Sequence, residues 1–289
     1  MMTLLRTMST VCATSILSLS LALGPAWAQA QPSPAQPETK REFVPQSGQA
    51  GKDVVWVPTP QALVDTMLNM AKVTPADYVI DLGSGDGRTV ITAAKRGTKA
   101  LGIEFNPDMV YISQRAAEKE GVTDKATFRQ ADIFQTDFSD ATVLTLFLLP
   151  SINLKLRPQI LDMKPGTRVV SNSFTMDDWK ADQSIELTEN CNSSYCRAHL
   201  WIVPAKVGGS WKLADGELKL NQTFQMLSGT LTRGGKSVEI SDGKMNGAAI
   251  EFTADGRRYT GTVEGDRVTG ASEAGGAKQD FTASRMASG

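Results

Sequence analysis

Histidine and cysteine are scarce in this sequence, which contains one His and three Cys among 289 residues. Tetrahedral metal sites are built from several such ligands, so the composition gives little support to a metalloprotein. Blocks of like charge are also absent, and the formal net charge is −1. The sequence therefore lacks the basic footprint of a nucleic-acid-binding protein. We expect neither a bound metal nor a nucleic-acid partner.

A hydrophobic run long enough to cross a bilayer is missing near the N-terminus. The apolar stretch there covers residues 11–23, whereas a membrane-spanning helix needs about 20 residues. Arg6 precedes the stretch, and small residues that allow cleavage follow it up to Ala28 and Ala30. This arrangement is typical of a secretory signal peptide. We predict a signal peptide over residues 1–28, cleaved after Ala28 or Ala30. The mature protein is then exported, periplasmic and without a stable membrane span.

Two of the three cysteines lie close together, as Cys191 and Cys196 in CNSSYC. In an oxidising compartment such a pair predicts a disulfide that closes a hairpin loop. Two free thiols are an alternative. A metal bound by the two thiolates and His199 is a further one, although these three side chains do not complete a tetrahedral site.

Composition divides the chain after the signal peptide into three segments. Residues 29–52 are rich in Pro and Gln, which predicts a flexible linker. Over residues 53–204, apolar runs of strand length alternate with amphipathic helices. This alternation predicts an α/β domain with a Rossmann-like, doubly wound, mostly parallel sheet of seven strands. Residues 205–289 show β-type alternation and glycine-rich turns, which predicts a small antiparallel β-meander domain.

Some local assignments depend on single residues. Thr59 is the predicted N-cap of a helix that starts with Pro60. In the C-terminal segment, Lys219–Leu227 is predicted as one continuous strand. Asp242-Gly243 and Asp255-Gly256 are predicted as turns between strands.

A glycine-rich loop follows the first buried strand, in VIDLGSGDGRTV at positions 79–90. Gly83, Gly85 and Gly87 let the backbone turn tightly and let a ligand approach the N-terminus of the next helix. Their spacing is G-x-G-x-G, not the G-x-G-x-x-G that binds a dinucleotide pyrophosphate. Asp81 stands just before the loop, and its carboxylate favours a ligand with a cationic end over a pyrophosphate.

Two further acids follow the next two strands. Glu104 lies 21 residues after Gly83, where a Rossmann-like fold places an acid against ribose hydroxyls. Asp132 can accept a hydrogen bond from an adenine amino group while Ile133 packs on the ring. S-adenosylmethionine combines a cationic amino-acid end, a ribose and an adenine. We predict it as the cofactor.

Residues 54–180 resemble the class I S-adenosylmethionine-dependent methyltransferases. Among these they are similar to the branch of mitochondrial lysine methyltransferases that act on the adenine nucleotide translocase and on the c-ring protein of ATP synthase. The stretches that carry the resemblance are VPTP (57–60), VIDLGSGDGRTVITAAKRG (79–97), ALGIEFNP (100–107), LFLLPSINLKLRP (146–158) and RVVSNSF (168–174). The resemblance implies an N-methyltransferase for a protein lysine or another amine. It implies cofactor contact by Asp81, Gly83, Ser84, Gly85, Gly87, Glu104, Asp132 and Ile133.

The methyl acceptor is the least determined part. Residues 148–151 read LLPS, not the Asn/Asp-Pro-Pro-aromatic sequence of enzymes that methylate amide or nucleobase nitrogens, so those acceptors are disfavoured. Candidate residues of the substrate pocket are Trp56, Thr59, Leu149, Pro150 and Asn172, and no catalytic residue is assigned. A small-molecule acceptor is an alternative to a protein lysine. A non-catalytic exported binding protein with the same fold is another.

Overall fold

The structure is a computed structural model that describes residues 43–287. The predicted signal peptide, and the predicted linker up to residue 42, lie outside the described residues. The last part of the predicted linker makes regular backbone hydrogen bonds. The Gly48 amide donates to the Trp56 carbonyl over 2.8 Å, and the Trp56 amide donates to the Gln49 carbonyl over 2.9 Å. Residues 46–56 thus form a closed loop in front of the first helix.

Residues 61–202 alternate between helices and strands, as predicted. The helices are α1 (Gln61–Met70), α2 (Arg88–Lys95), α3 (Pro107–Lys119) and α4 (Pro150–Leu161). The strands are β1 (Tyr78–Leu82), β2 (Lys99–Glu104), β3 (Ala126–Gln130), β4 (Val143–Leu146), β5 (Arg168–Asn172), β6 (Gln183–Glu186) and β7 (Arg197–Ile202).

These strands form one seven-stranded sheet in the order β3-β2-β1-β4-β5-β7-β6. Strands β1 to β5 pair in parallel, and β7 is antiparallel to both of its neighbours. The predicted Rossmann-like, mostly parallel sheet is confirmed. All residues of β4 are buried, as expected for a central strand with a hydrophobic layer on each face.

The N-termini of α3 and α1 are held by different contacts. Asn106 caps α3, since its side chain accepts a hydrogen bond from the Asp108 amide over 2.9 Å and Pro107 occupies the first turn. The predicted capping of α1 by Thr59 is wrong, because α1 begins after Pro60 without a side-chain cap. The Thr59 hydroxyl instead accepts a hydrogen bond from the Asn172 side-chain amide over 3.3 Å, which ties the start of α1 to β5.

The C-terminal segment consists of β-strands alone between residues 209 and 285. They are β8 (Gly209–Leu213), β9 (Gly216–Thr223), β10 (Met226–Arg233), β11 (Lys236–Glu239), β12 (Ser241–Asn246), β13 (Ala249–Ala254), β14 (Arg257–Glu264), β15 (Arg267–Ala274) and β16 (Ala277–Arg285). Neighbours pair antiparallel from β10 through β16 to β8 and β9, and β9 also pairs with β10. The sheet therefore closes on itself into a barrel-like domain filled by apolar side chains such as Trp211, Phe252 and Tyr259.

Two assignments in this segment are wrong. Lys219–Leu227 is not one strand, because a tight turn at Phe224 separates β9 from β10. Phe224 adopts a left-handed backbone with φ of 54°, a conformation that a sequence without glycine at this point does not suggest. Asp242-Gly243 is not a turn but an irregularity inside β12, where the pairing register shifts between Ser241 and Lys244. The turn at Asp255-Gly256 is confirmed between β13 and β14.

The barrel-like domain packs against the Rossmann-like domain through one aromatic stack and several polar contacts. The Phe224 ring stacks on Trp179 with centroids 5.8 Å apart. The Gln225 side-chain amide donates to the Lys180 carbonyl over 2.8 Å, and Lys244 pairs with Asp182 at 3.2 Å. Among residues 43–287, no helix has the length and apolar character needed to cross a membrane.

Candidate active site

A deep cleft opens at the carboxyl ends of β1 to β5. It contains about 1260 Å³ of empty space, counting the part that is open to solvent. The sheet order reverses between β1 and β4, and open α/β sheets bind ligands outside the strand ends at such a switch point. The cleft is bounded on its outer side by residues 49–59 of the N-terminal loop.

Asp81, near the end of β1, is a buried carboxylate in the cleft wall. It accepts a hydrogen bond from the Thr145 hydroxyl of β4 over 2.7 Å. Burial raises the pKa of Asp81 to about 7, and the nearby charges of Glu104 and Asp86 act in the same direction. A cationic group placed here would stabilise the ionised carboxylate and so lower its pKa.

Glu104, at the end of β2, joins the glycine-rich loop to the start of α3. One carboxylate oxygen accepts from the Gly85 amide and the other from the Asn106 amide, both over 2.9 Å. These two bonds fix the orientation of the carboxylate at the cleft wall. Each oxygen keeps a free lone pair that can accept a hydrogen bond from a ligand hydroxyl.

The loop glycines serve packing as much as ligand approach. A Cβ added at Gly85 would lie 2.4 Å from the Trp56 indole nitrogen, and one at Gly87 would lie 2.7 Å from the Phe128 ring. Both glycines have positive φ. Gly83 lines the cleft, whereas Gly85 and Gly87 do not. Ser84 is buried outside the cleft, and its hydroxyl has no hydrogen-bond partner within residues 43–287.

Asp132 and Ile133 both line the cleft beyond β3. Asp132 accepts from the Lys52 ammonium over 2.7 Å and from the Phe134 amide over 2.9 Å. The hydrogen bond from Lys52 is the main reason that the pKa of Asp132 lies below its usual value. Lys52 belongs to the N-terminal loop, so this ion pair closes the loop over the cleft.

The predicted substrate-pocket residues separate into two groups. Trp56, Thr59 and Leu149 line the cleft. Asn172 is fully buried behind Thr59, and Pro150 forms the exposed first turn of α4, so neither of these two reaches the cleft. His199 also lies away from it, hydrogen-bonded through Nδ1 to the Ser184 hydroxyl at 2.7 Å.

Three aromatic residues that the sequence did not suggest line the cleft opposite the acids. They are Phe147 after β4, Phe174 after β5 and Tyr195 in the loop between β6 and β7. The disulfide predicted between Cys191 and Cys196 is present and closes the loop that carries Tyr195. In the sequence, Phe147, Phe174 and Tyr195 lie next to strand ends and polar loop residues, so only the fold brings the three rings together.

The residues of the cleft fit S-adenosylmethionine. The buried Asp81 carboxylate suits the cationic amino-acid end, and Glu104 and Asp132 present acceptors at the ends of the next two strands. A Cβ at Gly83 would lie only 3.0 Å from the Leu148 side chain, so the wall beside Asp81 depends on a glycine. Over residues 43–287, no group of three or more His, Cys, Asp or Glu side chains is arranged to hold a metal ion.

The fold and the cleft define the class of the protein: it is a class I S-adenosylmethionine-dependent methyltransferase. The sequence model described as "ANTKMT methyltransferase domain" matches residues 81–183. A protein-lysine N-methyltransferase of Saccharolobus islandicus (strain REY15A) is 43% identical over 139 residues, which are 47% of this chain and 86% of that protein. The chain therefore belongs to the ANTKMT family of methyltransferases.

Two other similar proteins extend this comparison. The adenine nucleotide translocase lysine N-methyltransferase of Mus musculus is 31% identical over 119 residues, which are 40% of this chain. The chain spans only 52% of that mouse protein. A solved structure, of an RNA methyltransferase from Salinibacter ruber in complex with S-adenosyl-L-homocysteine, is 44% identical and has a TM-score of 0.49. The match covers 52% of this chain and 96% of that one.

Proposed function

We propose that this methyltransferase transfers the methyl group to the side-chain amine of a protein lysine. The observation that carries the proposal is the division of one cleft into two halves. Asp81 and Glu104 lie on the β1–β2 side, and the aromatic residues Phe147 and Phe174 lie on the β4–β5 side. An acidic half suits a cationic cofactor, and an aromatic half suits an alkylamine. The 43% identity to the protein-lysine N-methyltransferase of Saccharolobus islandicus supports the same acceptor.

The chain's own residues have to hold two reactants in line and exclude water. When bound, S-adenosylmethionine supplies a methyl group that its sulfonium already activates. Asp81 and Glu104 then position the donor side, since both are fixed by hydrogen bonds to the protein. The loop of residues 46–56 covers the cleft, and Trp56 and Lys52 hold it there.

A lysine acceptor must lose its proton before it can attack. With a reference pKa of about 10.4, roughly 1 in 2,500 lysine side chains is neutral at pH 7. Transfer of the amine from water to an aliphatic part of the cleft lowers that pKa, because desolvation disfavours the charged form. Leu146, Leu148 and Ile152 provide such a surface at the end of the cleft beside β4.

The first experiment is calorimetric binding of S-adenosylmethionine and S-adenosylhomocysteine to the mature protein, Asp81→Ala and Glu104→Ala. We expect micromolar binding to the parent protein and none to either variant. The same three proteins are then incubated with labelled cofactor and an extract of the source cells, and methyl-lysine is sought by mass spectrometry. Label in proteins, lost in both variants, supports the proposal. Label confined to RNA or to small molecules overturns the lysine acceptor. An absence of cofactor binding overturns the enzyme itself.

We also propose that the protein is exported and periplasmic. The charged and apolar pattern of residues 1–28 supports export, and a disulfide between Cys191 and Cys196 suits an oxidising compartment. The test is the N-terminus of the protein isolated from its source cells. A mature chain that begins at Gln29 or Gln31 supports the proposal, and an intact Met1 in fractionated cytoplasm contradicts it.

A further inference from the structure

Phe147, Phe174 and Tyr195 form one continuous aromatic wall of the cleft. The Phe147 and Tyr195 rings meet edge to face with centroids 5.2 Å apart. Phe174 lies 6.0 Å from Phe147 and 5.9 Å from Tyr195, measured between ring centroids. All three rings are partly exposed, and all three line the cleft. A cluster of this kind that faces an open cleft presents π faces to a ligand rather than only packing against itself.

The aromatic wall lies on the acceptor side of the cleft. Phe147 directly follows Leu146 at the end of β4, and Phe174 follows β5 by two residues. The acids of the donor side lie on β1 and β2, across the switch point. A side chain that extends toward the methyl donor from the β4–β5 side therefore passes the three rings.

Tyr195 reaches this wall from a loop that has few other restraints. The loop spans residues 187–196 between β6 and β7. The Leu187 amide donates to the Cys196 carbonyl over 2.8 Å at its base, and the Tyr195 amide donates to the Ser193 hydroxyl over 3.1 Å. The Cys191–Cys196 disulfide closes the tip, with Cα atoms 5.9 Å apart and Tyr195 next to one of its cysteines. The disulfide thus limits the positions that the Tyr195 ring can take.

We propose that the aromatic wall binds the charged alkyl-ammonium end of the acceptor side chain, and that the disulfide acts as a positioning element for Tyr195. This inference rests on the proposed amine acceptor. Ring faces attract an alkyl-ammonium through their quadrupole. Methylation keeps the positive charge and adds methyl groups that contact the rings, so the same surface accepts the amine before and after transfer. The wall therefore selects cationic over neutral side chains of equal shape.

The test compares two probes of the same shape that differ in charge. They are the acetylated, amidated forms of trimethyllysine and of its neutral analogue, in which a tert-butyl group replaces the trimethylammonium. Each is titrated by NMR into protein saturated with S-adenosylhomocysteine. We expect the cationic probe to bind the parent protein about 10-fold more tightly than the neutral one. Tyr195→Phe retains this preference, and Tyr195→Ala reduces it about 5-fold.

The disulfide is tested with the double variant Cys191→Ser, Cys196→Ser. We expect it to lose the preference for the cationic probe to the same extent as Tyr195→Ala, with unchanged affinity for S-adenosylhomocysteine. Tyr111→Ala is the matched control, since Tyr111 is 59% exposed on α3 and does not line the cleft.

The outcomes separate the two proposals. Equal binding of both probes by the parent protein, or an undiminished preference in Tyr195→Ala, overturns the aromatic wall as the cation-binding surface. An undiminished preference after loss of the disulfide overturns the positioning role. If neither probe binds while S-adenosylhomocysteine does, the amine acceptor itself is wrong, and with it this inference.

Discussion

Two acids of the cleft, Asp81 on β1 and Asp132 after β3, differ in the groups that surround them. Asp81 is buried beside two other carboxylates, whereas Asp132 is paired with Lys52. Their pKa values accordingly shift in opposite directions. Of these two acids, only Asp81 destabilises the ligand-free protein when it is ionised, because its charge is buried without a cation beside it. The ionised Asp81 thus destabilises the empty cleft, and a bound cation removes this destabilisation.

Asp81→Asn is expected to stabilise the ligand-free protein at alkaline pH. The folded-state pKa of about 7 lies above the reference value of 3.8, so the folded state binds more protons and the wild-type protein loses stability as pH rises from about 4 to 7. The loss corresponds to about 4 kcal/mol above pH 7. Asparagine removes the charge and can still accept the hydrogen bond from Thr145.

The measurement is the free energy of unfolding of both proteins by urea at pH 5 and at pH 8. The advantage of the variant should be larger at pH 8 than at pH 5. An advantage that is equal at the two pH values would contradict the raised pKa.

At the scale of elements, the N-terminal loop of residues 46–56 is the part that completes the cleft. Its backbone is closed by the bonds between Gly48, Gln49 and Trp56. Three of its side chains contact the domain: Trp56 at Gly85 of the glycine-rich loop, Lys52 in the ion pair with Asp132, and Gln49, which donates to the Met109 sulfur over 3.5 Å. An exposed ion pair by itself adds little stability, so the Trp56 contact should dominate.

Trp56→Ala is expected to release this loop. Loss of the indole contact should accelerate tryptic cleavage after Lys52 and weaken binding of S-adenosylhomocysteine about 10-fold, because an apolar wall of the cleft is removed. Cleavage is followed by mass spectrometry and binding by calorimetry. Val44→Ala serves as control, since Val44 is 71% exposed. Unchanged cleavage in Trp56→Ala would show that other contacts hold the loop.

Sequence periodicity predicts those elements whose apolar residues form a regular pattern within the element itself. Strands such as β1 and β2 are largely apolar runs, and the carboxylates near their ends follow from spacing, so Asp81 and Glu104 reach the cleft as expected. Lys52 and Tyr195 were not predicted, because polar segments carry no periodic signal and their positions depend on tertiary contacts and a disulfide. The strand break at Phe224 was missed for a similar reason, since a non-glycine residue adopts a positive φ there.

At the scale of the whole molecule, the two sheets share a buried aromatic cluster. Trp179 is fully buried between Trp201, 6.2 Å away, and Phe224 of the barrel-like domain, 5.8 Å away, measured between ring centroids. The Trp201 indole donates to the Trp179 carbonyl over 2.8 Å. The barrel-like domain thus covers apolar surface of the methyltransferase domain. We expect the two domains to unfold in a single transition.

Phe224→Ala tests this coupling. Removal of a ring from a partly buried stack should lower the free energy of unfolding by about 2 kcal/mol. The change should be the same whether unfolding is followed by tryptophan fluorescence or by circular dichroism. Met226→Ala is the control, because Met226 lies in the same hairpin but is 54% exposed. Two separate transitions in the parent protein would show that the domains are independent.

The buried carboxylate of Asp81 also makes ligand binding a proton-coupled event. Near pH 7 about half of the ligand-free molecules carry a proton on this group, given its pKa of about 7. A ligand whose cationic end rests on Asp81 expels that proton, so about half a proton leaves per ligand bound at this pH. The heat of binding should then differ between phosphate and Tris buffers, which take up protons with different enthalpies. Affinity for the ligand should rise with pH up to about 7 and then level off.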